Sequence, residues 1–148
     1  MGEATYYFVA KFDNKENAKH GMDKIKQYLE EQKKAYDYLE THESKDVYTE
    51  ILKLYPLALS FLDKKKIENE DDKSDSLARF LIDTQEPFSE CLDVDKNLVI
   101  YHQEVWHLDN WDHLVRFAKS LKGCLKATYK SDEYADSEIF ESLIDEIK

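Results

Sequence analysis

His102, Glu104 and Trp106 fall at every second position of the run LVIYHQEVWH, residues 98–107. The run reads as a strand, and strand alternation puts these three on one face, with His107 on the other. An imidazole beside a carboxylate is the pair that general acid–base chemistry or metal ligation uses. Yet the spacing His102-x4-His107-x5-His113 is not a zinc pattern, and His102 with Glu104 supplies two ligands at most. No metal and no cofactor are therefore expected. Tyr101, His102 and Glu104 sit where an apolar strand turns polar, which is also how a strand leaves a core. No catalytic residue is assigned. If a ligand pocket lies here, its lining is Tyr7, Tyr101, His102, Glu104 and Trp106.

Other chemistries find less. There is no GxSxG elbow, and neither Cys91 nor Cys124 has a histidine partner in a known arrangement. The three glycines, Gly2, Gly21 and Gly123, cannot spell GxGxxG or a P-loop, so no phosphate cradle is expected.

The charge around this strand reverses. From Asp83 to Asp112 there are eight acids and one base, and from His113 to Lys130 five bases and no acid. Part of the reversal belongs to one helix, with Asp109 and Asp112 at its start and Arg116, Lys119 and Lys122 towards its end. That order suits the helix dipole. The net charge of −11 repels phosphate backbones, so nucleic acid is an improbable partner. No run approaches a membrane span, and the N-terminus lacks the pattern of a signal peptide. A cytoplasmic protein with reduced thiols is expected.

The elements that must position these residues follow from periodicity. Thr5–Phe12 is apolar on both sides, as a central strand is. Asp13 or Asn14 can cap a helix from Lys15 to Thr41, with Ala18, Met22, Ile25, Leu29, Gln32, Tyr36 and Leu39 on its stripe. At roughly 40 Å this helix outreaches a strand of roughly 26 Å, so its far end needs another partner. Residues 46–62 supply it as two short helices meeting near Pro56. Residues 63–76 (DKKKIENEDDKSDS) read as a charged flexible loop. Either residues 77–83 or Phe88–Leu92 is the second strand, Asp93–Asn97 a turn, and Leu98–His107 the third. Asn110 caps a helix closed by Gly123, Leu125–Tyr129 is the fourth strand, and Ser137 starts an amphipathic terminal helix.

The expected fold is α+β and one domain over residues 1–148. It is a ferredoxin-like split βαβ sheet of about four antiparallel strands, with an inserted helical elaboration and a C-terminal helix. The element order alone does not name a function. With no catalytic motif, the leading expectation is a non-enzymatic protein-interaction or regulatory domain. Its partner is a protein or a second copy, the latter through an open apolar sheet face as a homodimer. The competing expectation is a small-molecule binder or enzyme of the dimeric α+β barrel type, with its pocket near the 98–107 strand.

Overall fold

The computed structural model describes residues 4–42, 47–62, 81–82, 87–105, 111–132 and 137–147. Among them the order is β1 (Ala4–Phe12), α1 (Lys15–Thr41), α2 (Val47–Leu54), α3 (Phe88–Cys91), β2 (Leu92–Asp95), β3 (Leu98–Val105), α4 (Asp112–Lys119), β4 (Cys124–Asp132) and α5 (Ser137–Ile147). The fold is α+β, with four strands in one antiparallel sheet of order β2-β3-β1-β4.

β1 is central because it has something to bury on both sides. Tyr6, Phe8, Ala10 and Phe12 point to the layer of α1 and α4, where they join Ile25, Leu29, Leu114 and Phe117 in the main core. Tyr7 and Val9 point the other way and pack, with Leu98, under Leu143 and Ile147 of α5. Helices thus lie on both faces of the sheet. The apolar face that would have drawn a second copy is occupied by the chain's own terminal helix.

α1 spans Lys15–Thr41, the bounds its periodicity predicts. Asn14 starts it, its Oδ1 accepting from the Asn17 N–H at 2.8 Å. Gly21 lets the helix settle on the sheet: a Cβ there would stand 2.3 Å from Cζ of Phe12. Beyond Gln32 the helix leaves the sheet. Ala35 enters a second core with Val47, Ile51, Ala58, Leu59, Leu62 and Leu81.

Three segments depart from expectation. Only the first of the two short helices forms. After Pro56 the chain runs through tight turns, with N–H bonds from Ala58 to Tyr55 O, Ser60 to Leu57 O and Leu62 to Leu59 O. The carbonyls of Ala58, Ser60 and Phe61, which a helix would keep for its own amides, are taken by side chains of α1 and α4. Phe88–Leu92 is not the second strand: Pro87 opens a single helical turn and the strand begins only at Leu92. The turn shrinks to Lys96–Asn97, between the paired residues Asp95 and Leu98, with Lys96 at φ 55°. Leu81 and Ile82 of the other strand candidate are buried without pairing in the sheet. Its remaining residues, the loop at 63–76 and the Asn110 cap lie outside the described residues. Gly123 does adopt the left-handed conformation, at φ 80°.

Candidate functional site

The residues proposed for a pocket divide between the two faces of the sheet. His102 pairs across β1 with Tyr7, and their rings stand 6.4 Å apart. Glu104, opposite Thr5, lies on the same face and is exposed. Tyr101 points to the opposite face, wholly buried and stacked on Trp111 at 5.4 Å. Trp106 lies outside the described residues. Tyr7 and His102 are therefore brought together, Glu104 stands two pairs further on, and Tyr101 is separated from all three. Among the described residues no three His, Cys, Asp or Glu side chains gather closely enough to hold a metal ion.

Tyr101 belongs instead to an aromatic cluster. Trp111, at the start of α4, contacts Tyr6 at 4.9 Å, and Tyr6 stacks with Tyr129 at 6.0 Å. Burial, and secondarily the nearby Asp112 carboxylate, raise the Tyr129 phenol above its ordinary pKa. These rings meet sheet to helix within the main core, with Tyr129 partly buried at its edge.

The most developed polar arrangement joins residues far apart in sequence. Tyr28 on α1 sits between the sheet core and the second core, its ring stacked on Phe117 at 4.3 Å. Its hydroxyl donates to Ser60 O at 3.0 Å, receives Gln32 Nε2 at 3.2 Å, and lies 3.0 Å from His113 Nδ1. A phenol has a single proton. With that proton on Ser60 O, the bond to His113 forms only if Nδ1 carries hydrogen. Gln32 also donates to Ala58 O at 2.7 Å and accepts from the Ile82 N–H at 2.9 Å. Arg116 closes the set, its Nε 3.1 Å from Phe61 O and its Nη2 on the same oxygen. Phe61 takes a left-handed φ of 67°, unusual for an aromatic residue.

Burial pushes the Tyr28 phenol far above its ordinary value, against smaller opposing effects of Arg116 and Gln32. It is thus protonated at physiological pH, as its bond to Ser60 O requires. The arrangement clamps three successive turns of the 55–62 segment to α1 and α4. Sequence reasoning missed it, although a glutamine on the apolar stripe of α1 was its visible trace.

Among the described residues, one accessible feature is the β4 edge of the sheet. β4 is nine residues long and pairs with β1. A groove of about 310 Å³ runs along it, lined by Lys119 of α4, by Leu125, Lys126, Ala127 and Thr128 of β4, and by Glu146 and Ile147 of α5. Four consecutive strand residues, which point to both faces, share this groove with a helix from each side. It therefore straddles the strand edge. Leu125 is the extra residue of a β-bulge, since Lys11 pairs with Lys126 and Phe12 with Cys124, and it is 59% exposed. Lys130 is bound to Glu146 at 2.8 Å. A second groove of about 250 Å³, at the β2–β3 hairpin, is lined by Lys11, Asp95, Lys96, Asn97, Leu98 and Ile144. Neither groove contains a histidine, a cysteine or a residue of the proposed pocket.

Cys91 is buried, its Sγ within 3.3 Å of both Pro87 O and Gln103 Nε2. Cys124 is half-buried at the start of β4, and burial raises its thiol above the ordinary range. No helix among the described residues is long and apolar enough to cross a membrane. Set against protein-family models, curated proteins and solved structures, the chain matches none of them.

Proposed function

We propose that this chain is a non-enzymatic protein-interaction or regulatory domain on the ferredoxin-like split βαβ plan, working in the cytoplasm. The fold assignment is supported by the strand order read from its other edge, β4-β1-β3-β2. β1 and β2 both run opposite to β3, which lies between them, and α1 is part of the connection. Two free cysteines suit a reducing compartment.

The observation that carries the functional reading is the contrast between the two candidate regions. The residue types able to do chemistry are divided between sheet faces, whereas the β4 edge offers a groove, an exposed leucine and uncommitted strand length. The small-molecule alternative finds less support, because Tyr101 and His102 cannot line one cavity from opposite faces. Sheet-to-sheet pairing of two copies also loses support, because α5 occupies that face.

Native mass spectrometry of the untreated protein, followed by cross-linking of the tagged chain in cells, tests the proposal. The expected results are a ligand-free monomer and cross-links to a defined protein partner in constant ratio. A small molecule retained in the native spectrum, and lost in His102→Ala, would overturn it in favour of the pocket reading.

A further inference from the structure

We infer that the β4 edge binds an extended acidic segment of another protein by strand addition; this rests on the interaction reading above and names its surface. An edge strand presents unpaired backbone groups and is a ready template for another strand. Most edges are blocked by shortness, by a covering element or by charge. This one is nine residues long; it carries two of the usual guards, lysines and the bulge at Leu125, and its groove lies between Lys119 of α4 and Glu146 and Ile147 of α5.

The side chains specify the occupant. Lys126 and Lys130 project to one face of β4, and Lys119 joins Lys126 in the groove. Lys119, Lys122 and Lys126 have no ion pair among the described residues. A cluster of cations within a chain of net charge −11 is a local exception, and the residues from His113 to Lys130 include no acid. Lys130 is held by Glu146, so an acid on an incoming strand would stand opposite Lys126, and an apolar residue beside it would meet Leu125.

The same lysines disfavour a second copy, by less than two unpaired charges would because Glu146 pairs with Lys130. Two β4 strands paired antiparallel about Thr128 would set Lys126 of each against Lys130 of the other. Like charges directly opposite are destabilising. A nucleic acid is disfavoured by the net charge and by Glu146 inside the groove.

The test uses the full chain and a labelled peptide of alternating glutamate and valine. The comparison probes are its lysine counterpart, a version with a central proline, and a single-stranded oligothymidine. Fluorescence anisotropy gives affinity, and amide chemical shifts give location. The expected result is saturable binding of the acidic probe, with shifts centred on residues 125–128. Binding should weaken about fivefold in Lys126→Glu and again in Lys119→Glu, and be lost with the proline probe, which cannot complete the ladder. Both substitutions are at exposed positions, and circular dichroism confirms that the variants fold.

Equal binding of the lysine probe, tighter binding of the oligonucleotide, or concentration-dependent dimerisation through β4 without any probe would each overturn the inference. Shifts confined to another surface would overturn the edge assignment while leaving the interaction reading in place. A retained small molecule in the native spectrum would count against that reading without bearing on the peptide result.

Discussion

Gly21→Ala should destabilise this protein, although the same change in most exposed helices stabilises them. Alanine exceeds glycine in helix propensity by about 1 kcal/mol. Here the added methyl would lie 2.3, 2.7 and 3.0 Å from Cζ, Cε2 and Cε1 of Phe12. Carbon atoms rest about 3.5–4.0 Å apart, so the ring must withdraw by about 1 Å or the helix must lift. Phe12 is fully buried in the main core and has no open space to enter. Overpacking of this kind costs about 1–3 kcal/mol, and three short contacts to one ring argue for the upper half of that range. The net loss after the propensity gain is then about 1–2 kcal/mol. Urea denaturation followed by circular dichroism measures it. A double-mutant cycle with Phe12→Leu isolates the clash, because the smaller side chain makes room for the methyl. The two changes should couple favourably by about 1 kcal/mol or more. A Gly21→Ala protein about 1 kcal/mol more stable than the parent, or an additive cycle, would refute the close seating of α1 on the sheet.

Four further outcomes follow from the packing. Tyr28→Phe removes the hydroxyl shared by Ser60 O, Gln32 and His113 and should cost about 3 kcal/mol in denaturant titrations, since the groups left behind stay buried. The Tyr28 phenol also titrates higher folded than unfolded, so its contribution is complete below the ordinary value of 10.0 and is lost as pH climbs beyond it. Stability measured at rising alkaline pH should fall more steeply in the parent than in Tyr28→Phe; equal slopes would show that burial of this phenol is not what drives the fall. Iodoacetamide should modify Cys124 well before Cys91, and slowly for a surface thiol, because burial holds its thiol pKa up; peptide mapping of timed samples reads the order. Leu143→Glu places a carboxylate over Tyr7 and Val9, should cost about 3 kcal/mol, and should make the chain bind a hydrophobic dye and self-associate in light scattering.

Local signals made much of the architecture legible. Asn14, the stripe from Ala18 onward and the two-sided apolar run at Thr5–Phe12 mark α1 and β1 because capping, periodicity and burial act over a few residues. β2 was illegible for the converse reason: Leu92–Asp95 offers two apolar and two acidic residues, and it is a strand because β3 pairs with it. The chain beyond Pro56 looked helical by composition. Its carbonyls were claimed by Tyr28, Gln32 and Arg116, contacts no local pattern encodes. The amphipathic stripe of α5 was visible, but a stripe does not say whether it lies on its own sheet or on another molecule.

Of the candidate pocket, the approach of Tyr7 to His102 depends on the register of β1 against β3. The separation of Tyr101 from His102 needed nothing beyond strand alternation. The Tyr28–His113 contact spans eighty-five positions and left only the odd glutamine on a helical stripe as its trace.

The central place of β1 has a consequence for how the protein is made. Among the described elements it precedes all the others, yet its neighbours are β3 and β4, and its last pairings reach from Thr5 to Asp132. At roughly 5–20 residues per second, a ribosome needs on the order of ten seconds after completing β1 to deliver both partners. Until β3 emerges the segment TYYFVAKF has no strand beside it, and until α5 emerges it has no helix over its second face. Nascent chains of this protein therefore carry an adhesive strand until its partners follow. Its protection during synthesis falls to α1, which emerges directly behind it, and to whatever chaperone meets the chain at the tunnel mouth.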